Sequence, residues 1–451
     1  MLLAVERGEA HSDDLLREDK SMGKMSAVDR HLTTALVLGV LRWQIQLDQV
    51  VRRLLAKPNA KLDPAVLVAL RMGAFQLMHL DRIPAHAAID ESVELTKRSG
   101  FRSAAGLVNA VLRKLAHEGI ASDAGFVAGH DFCDAAVAAH PLWMVERWMQ
   151  MFGEDRACDL CVYDQSPPPP AIRLAAPEVE MELADAGVTI GRGQLLNAAR
   201  VVVAGDVVAT AAFREGRVRM QDEGSQLVAE IAASAVPAEA ANILDCCAAP
   251  GGKTLILAER NPSARIVACE ASRARLNQLR DRLGFLGERI ECRLADATAL
   301  EMGSAFDVVL ADVPCSGTGT LSRNPEIRHH LRPEDLLRQA ERQHAILSSA
   351  LRAARVGGRI VYSTCALEPE ENEDVIGAAV AKSENVRVIP MGSTLDALRE
   401  CGVLTADGAE RLRSCLTPEG FLRLLPGAVG TDGFFIAMME KLSSSESECI
   451  E

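Results

Sequence analysis

The chain has 451 residues, 48% of them apolar and 25% charged, with a net charge of −13. This is the make-up of an ordinary globular protein; it excludes a disordered polyelectrolyte, and no apolar run is long enough to span a bilayer. The first residues lack the basic start and long apolar core of a signal peptide, which predicts a cytoplasmic protein whose 12 cysteines stay reduced.

The charge is uneven. Residues 1–120 hold 17 Lys/Arg against 14 Asp/Glu, a net of +3, which leaves −16 on the rest. The acidic total counts against a nucleic-acid partner, yet a local basic patch can still bind phosphate.

Residues 1–120 read as helical. Leu32, Ala35, Leu36, Gly39, Val40 and Trp43 follow helical spacing, as do Leu67, Leu70, Gly73, Ala74 and Leu77. Pro64 suits a first helical turn, and Ile83-Pro84 breaks the pattern before a new helix from about Ala85. More amphipathic helix follows around 130–165, and the run Ser166-Pro167-Pro168-Pro169-Pro170 stops it. Residues 171–220 change character: Ala171–Leu174 and Val201–Val203 read as strands and about 178–186 as helix, a small α+β module.

From about 221 the pattern becomes α/β. Strands are expected at 242–247, 265–269, 289–294, 306–311 and 358–363, with helices near 253–260, 271–283 and 333–354. That alternation predicts a parallel, doubly wound sheet. Phe421 to Met438 holds two apolar runs split by Gly-rich turns and reads as an antiparallel hairpin on the sheet edge. Residues 442–451 are Ser/Glu-rich and expected to be disordered. The reading divides the chain at 1–125, 126–220, 221–441 and 442–451.

Chemistry concentrates at predicted strand ends, where open α/β sheets bind ligands. The first is the loop Cys247-Ala248-Ala249-Pro250-Gly251-Gly252-Lys253-Thr254. Its small residues let a ligand approach the backbone, and the following helix start favours negative groups. It is not a P-loop, because Cys247 stands where that motif needs glycine, and G-x-G-x-x-G is absent. Taken alone it is equally a tight strand–helix turn. Glu270, about 20 residues on, sits where Rossmann-type sheets place a carboxylate on ribose; Asp296 and Asp312 end the next two strands. Any one of these acids alone is more often a helix cap.

Two cysteines, Cys315 in Asp312-Val313-Pro314-Cys315 and Cys365 in Tyr362-Ser363-Thr364-Cys365, each follow a predicted strand. A lone cysteine is usually an inert small hydrophobe. Paired at one crevice these two read as catalytic thiols, with Lys253, Arg323 and Arg328 able to supply the positive field that a thiolate needs. Cys158-x-x-Cys161 lacks a second pair or a His set, so no metal is expected. The basic run Arg323, Arg328, His329, His330, Arg332, Arg338 and Arg342 reads as a candidate phosphate track.

Four strings carry a resemblance: Leu244 to Thr254; Asp312-Val313-Pro314-Cys315-Ser316-Gly317-Thr318-Gly319; Arg323-Asn324-Pro325-Glu326-Ile327; and Tyr362-Ser363-Thr364-Cys365-Ala366-Leu367-Glu368-Pro369-Glu370-Glu371-Asn372, with Asp432-Gly433-Phe434-Phe435 closing the chain. Together they resemble the RNA (cytosine-5) methyltransferase family. Arg71–Leu77, Ile83–Glu94 and Gly106–Arg113 look like a NusB-type RNA-binding domain, the fusion found in the branch that modifies small-subunit (16S) rRNA.

The resemblance implies a Rossmann-like S-adenosylmethionine-dependent methyltransferase sheet preceded by an all-α NusB-like domain and the small α+β module. It implies S-adenosylmethionine held by Cys247 to Lys253, Glu270 on the ribose, Asp296 on the adenine edge, and Asp312 near both cofactor and base. It implies Cys365 as nucleophile and Cys315 as the thiol that assists release. The expected partner is 16S rRNA before full subunit assembly, with no membrane and the protein a monomer. Alternatives are the same reaction on tRNA or another rRNA cytosine, a noncatalytic NusB-like RNA-binding factor, and a nicotinamide oxidoreductase. The last two fit poorly with paired thiols and the missing G-x-G-x-x-G.

Overall fold

A computed structural model describes residues 1–19, 21–118, 132–237, 241–383 and 385–443. They form two units: residues 1–168 with 321–331, and residues 169–320 with 332–451. The division falls inside the stretch read as linker helices plus small module: those helices belong to the first unit, the module to the second. The expected boundary at 125/126 and most of the expected tail lie outside the described residues. Leu442, at the start of that tail, is buried and donates its N–H to Asn385 O.

The first unit is helical. Its long helix Ala27–Leu54 starts at Ser26, whose side chain accepts from Asp29 N, and Pro64 opens helix Pro64–His79 behind an Asp63 cap. Helices Ala85–Arg98 and Ala105–Glu118 follow. Their apolar faces meet around Leu47, Leu70, Val108 and Leu112. Two glycines inside helices make that approach possible. A Cβ on Gly39 would lie 2.0 Å from the Phe75 ring, and one on Gly73 would lie 2.4 Å from Leu112. Arg71 is buried and forks onto Asp48 at 2.7 and 2.8 Å, with Glu6 at 2.6 Å. Helices Leu142–Phe152 and Glu154–Gln165 complete the unit. Cys158 is disulfide-bonded, whereas nine other cysteines among the described residues are free thiols.

The second unit opens with a small antiparallel sheet. Strands β1 (Ala171–Leu174), β2 (Thr189–Arg192), β3 (Ala199–Ala204) and β4 (Val218–Met220) run in the order β2-β3-β1-β4. Arg173 of β1 is buried and pairs with Glu230 at 2.8 Å and Glu259 at 3.2 Å, both on later helices of the same unit.

The main sheet contains β5 (Asn242–Asp245), β6 (Arg265–Glu270), β7 (Ile290–Leu294), β8 (Phe306–Asp312), β9 (Ala354–Thr364), β10 (Val386–Ile389), β11 (Leu422–Leu424) and β12 (Phe434–Lys441). Its order is β10-β12-β9-β8-β5-β6-β7, with β11 on β12. Strands β9, β8, β5, β6 and β7 are parallel; β12 and β10 are antiparallel to their neighbours. Both faces are covered, so the strands are apolar on both sides: Ile243, Val308, Leu310 and Val361 face one core, Leu244, Val309, Ala311 and Tyr362 the other. The closing hairpin differs from its expectation. Strand β12 lies inside the sheet, because β10 covers its outer side. The order reverses beside β5, and the chemistry-bearing loops leave there from β5, β8 and β9.

Candidate active site

The loop after β5 is held by its own backbone: Ala248 N–H donates to Cys269 O at 2.8 Å, and Gly251 N–H to Ala248 O at 2.6 Å. Gly251 sits at φ +95°, a conformation that favours glycine, and a Cβ there would press on Leu279 at 2.9 Å. Helix Gly252–Arg260 then begins. Beneath the loop, buried Asp245 accepts from Thr254 Oγ1 at 2.7 Å. Burial pushes its carboxyl up to about 6.

A cleft lies over this loop, lined by Gln221, Asp245, Cys247 to Pro250, Gly252, Lys253 and Asp312, among others. Gln221 Oε1 and Asp245 Oδ1 make no hydrogen bond within the protein. Two unpartnered acceptors beside a helix start and a lysine suit a zwitterion, with the ammonium on the acceptors and the carboxylate toward the helix. The amino-acid end of S-adenosylmethionine is such a group, so the residues present fit it.

Asp312 ends β8. Its Oδ2 accepts from Lys253 Nζ at 2.7 Å and its Oδ1 from Ser363 Oγ at 2.7 Å. Burial alone would lower the Lys253 pKa; the charge and hydrogen bond of Asp312 outweigh it and hold it above the usual value, with Cys365 adding to the same effect. Lys253 is therefore a fixed positive charge that both Asp312 and Cys365 feel.

The two thiols meet, Cys315 Sγ lying 3.3 Å from Cys365 Sγ and also accepting from Cys365 N–H at 3.3 Å. The hydrogen bond with Cys365, and then burial, hold Cys315 well above the ordinary thiol value. Cys315 is thus kept protonated.

What brings the thiols together is a set of residues to which sequence reasoning gave no role. Glu371 Oε2 accepts from Ser316 N–H at 2.9 Å and from Gln343 Nε2 at 2.7 Å. Glu368 accepts from the Thr318 hydroxyl and from Leu367 N–H. Asn372 accepts from Thr364 Oγ1 at 2.6 Å and donates to Ala366 O at 3.0 Å. The loop carrying Cys365 therefore clasps the loop carrying Cys315 through two buried carboxylates. Burial pushes Glu371 up to about 7. Gly319 N–H donates to Cys365 O at 2.8 Å, and Gly433 N–H donates to Gly319 O at 2.7 Å. The signal was present in Glu368-Pro-Glu-Glu371-Asn372, but its partners lie some 50 residues away.

Glu270 and Asp296 stand at the ends of β6 and β7, outside the cleft lining. Glu270 is buried, accepts from Ser272 N–H at 2.8 Å and lies 3.6 Å from Arg275. Asp296 caps Thr298, whose N–H holds its pKa below the usual range.

The basic run is split. Arg328, expected beside the thiols, is instead buried in the helical unit at 1% exposure, and His329 there meets Leu41 O at 2.7 Å. Neither forms part of a phosphate track: Arg328 is a desolvated cation held by internal partners, and burial pushes His329 down to about 3, which leaves it neutral. His330, Arg332, Arg338 and Arg342 are exposed.

An open, mainly parallel sheet with an antiparallel β12 beside β9, a small-residue loop over a zwitterion cleft and acids at successive strand ends define an S-adenosylmethionine-dependent methyltransferase. Residues 233–440 match the family described as "16S rRNA methyltransferase RsmB/F", and residues 1–117 match the NusB family. The chain is 33% identical over 98% of its length to "Probable ribosomal RNA small subunit methyltransferase B" of Bacillus subtilis (strain 168), covering 97% of that protein. It is also 33% identical to "Ribosomal RNA small subunit methyltransferase B" of Pseudomonas putida, with the same coverage. The crystal structure of PH0851 shares the fold, with a TM-score of 0.77 at 23% identity and 97% coverage of each chain. The chain belongs to the ribosomal RNA small subunit methyltransferase B family.

Proposed function

We propose that the protein methylates C5 of a cytosine in 16S rRNA through a covalent adduct between Cys365 and C6 of the base. The observation that carries the reading is the pairing of two thiols at 3.3 Å beside the Lys253–Asp312 pair.

C5 of cytosine is a weak nucleophile within an aromatic ring. Cys365 sulfur adds to C6, its electron pair forming the S–C6 bond while the C5=C6 pair moves onto C5 and the ring carbonyl system. Lys253 supplies a fixed positive field for the attacking thiolate. Asp312, acceptor-only when ionised, keeps lone pairs beyond those used by Lys253 and Ser363 for the exocyclic amino group of the base. Bound S-adenosylmethionine supplies the electrophilic methyl group that C5 takes. Removal of the C5 proton by a base then restores the double bond and expels the Cys365 thiolate. Cys315, held protonated against Cys365, assists this release by stabilising the departing sulfur. Glu270 is assigned to ribose hydroxyls and Asp296 to the adenine edge.

The base must leave its stack to reach the thiol. That requirement favours rRNA not yet buried in a finished subunit, met in the cytoplasm by a monomeric enzyme.

The test is bisulfite sequencing of 16S rRNA and tRNA from a deletion strain, with and without the restored gene. Loss of one methylated cytosine in 16S rRNA, recovered on complementation, is expected. Loss confined to tRNA, or no loss at all, overturns the substrate assignment.

A further inference from the structure

The free cysteines among the described residues differ in access. Cys161, Cys246 and Cys269 are buried. Burial pushes Cys161 and Cys269 up to about 12 and holds Cys246 well above the ordinary thiol value. Such thiols carry almost no thiolate near neutral pH and stay inert. Cys315 and Cys365 are partly exposed, lie on the loops after β8 and β9, and their sulfurs are 3.3 Å apart. The Lys253 ammonium interacts with the Cys365 sulfur and favours its thiolate. Cys315 is kept protonated, so the sulfur that meets an oxidant first is that of Cys365.

A disulfide bond is about 2.05 Å long, so closure asks each sulfur to move by about 0.6 Å. The clasp between the two loops holds them at this range, with Glu371 on Ser316 N–H at 2.9 Å and Glu368 on the Thr318 hydroxyl. An accessible thiolate with a second thiol in reach is the arrangement of a redox sensor. The neighbour captures the first oxidation product before it is oxidised further.

We propose that Cys315 and Cys365 form a reversible oxidation switch, in which hydrogen peroxide converts the two thiols to a disulfide and silences methyl transfer until a thiol reductant reopens it. The Cys365 thiolate attacks one peroxide oxygen: the S–O bond forms, the O–O bond breaks, and the departing oxygen leaves as hydroxide. The product is a sulfenic acid on Cys365. The Cys315 sulfur then attacks the Cys365 sulfur; the S–S bond forms, the S–O bond breaks, and the leaving hydroxide takes the Cys315 proton as water. The two thiols lose two protons and two electrons in all, and the peroxide is reduced to two waters. A small thiol reopens the bridge by exchange. Without Cys315 the sulfenic acid would go on to sulfinic acid, which thiols do not reverse. Cys315 thus has a task outside the catalytic cycle. The silencing rests on the reading of Cys365 as nucleophile; the bridge itself does not.

The test exposes the full-length wild type, Cys315→Ala and Cys315→Ser to hydrogen peroxide, blocks the remaining thiols, and reads intact mass and peptide maps. Wild type should lose two hydrogens and yield one peptide pair joined through Cys315 and Cys365. Its methyl transfer to 16S rRNA should fall about tenfold or more, and dithiothreitol should return it to within about twofold of the untreated protein. Both variants should form no bridge and gain two oxygens on Cys365 that dithiothreitol does not remove. Should one variant not fold, the other decides. Sulfinic acid on Cys365 of wild type in place of the bridge overturns the switch, as does a bridge from Cys365 to any other cysteine. So does a bridged protein that keeps full methyl transfer while Cys365→Ala loses it. If Cys365→Ala itself still transfers methyl, the nucleophile reading fails instead, and the switch is decided by the bridge and the reversible loss of activity.

Discussion

Cys365 approaches Cys315 twice, with its sulfur at 3.3 Å and with its backbone N–H at 3.3 Å from the same Cys315 sulfur. The two thiols are unequal. The N–H contact alone would favour a thiolate on Cys315, but the thiol–thiol hydrogen bond and burial outweigh it and hold Cys315 well above the ordinary thiol value, whereas the Cys365 sulfur interacts with the Lys253 charge.

The inequality predicts opposite phenotypes. Cys365→Ala should abolish methyl transfer and leave no covalent RNA complex. Cys315→Ala should accumulate one, seen as a shifted, nuclease-sensitive band on a denaturing gel. A band from Cys365→Ala in place of Cys315→Ala would reverse the roles.

Asp245→Asn should weaken S-adenosylmethionine binding by about tenfold or more, because an amide donor would replace the unpartnered acceptor in the cleft. Titration calorimetry measures it. An unchanged dissociation constant would remove Asp245 from the cofactor site.

Glu371 gives a pH signature. Burial raises its folded value from 4.5 to about 7. A carboxyl raised on folding contributes stability that is fully present below its unfolded value and lost as pH rises through the folded one. The contribution of Glu371 itself should therefore be lost across pH 4.5 to 7. Glu371→Gln, which does not titrate, should differ from wild type by that slope in melting scans over the window. Equal slopes would show that Glu371 is not the titrating group.

Gly39→Ala separates packing from propensity. An exposed mid-helix Gly→Ala change gains about 1 kcal/mol. Here the added Cβ would meet the Phe75 ring at 2.0 Å. The expected result is a loss of about 1–3 kcal/mol in denaturant unfolding of the helical unit. A gain would mean the helices part without cost.

The parallel strands were legible because their apolar runs are long and end in loops of small residues. The thiols were legible because each follows such a run. Strand β10 escaped notice: Val386–Ile389 is short, stops at Pro390 and acquires its meaning only by pairing with β12. Arg328 was misread for a related reason. Sequence shows a charge but not its partners, and Arg42, Ala139, Asp164 and Gln165 are all more than a hundred residues away. Glu368 and Glu371 stood in a recognisable string, yet their work is to hold Ser316 and Thr318 across a gap that no local pattern reveals.

The contact between Gly433 and Gly319 has a consequence in time. Gly433 immediately precedes β12, and its N–H closes onto the loop that carries Cys315. A nascent chain that already displays the cofactor loop and both cysteines still lacks this last fastening. The Cys315 loop therefore acquires its full set of contacts only when one of the last strands to be synthesised is in place.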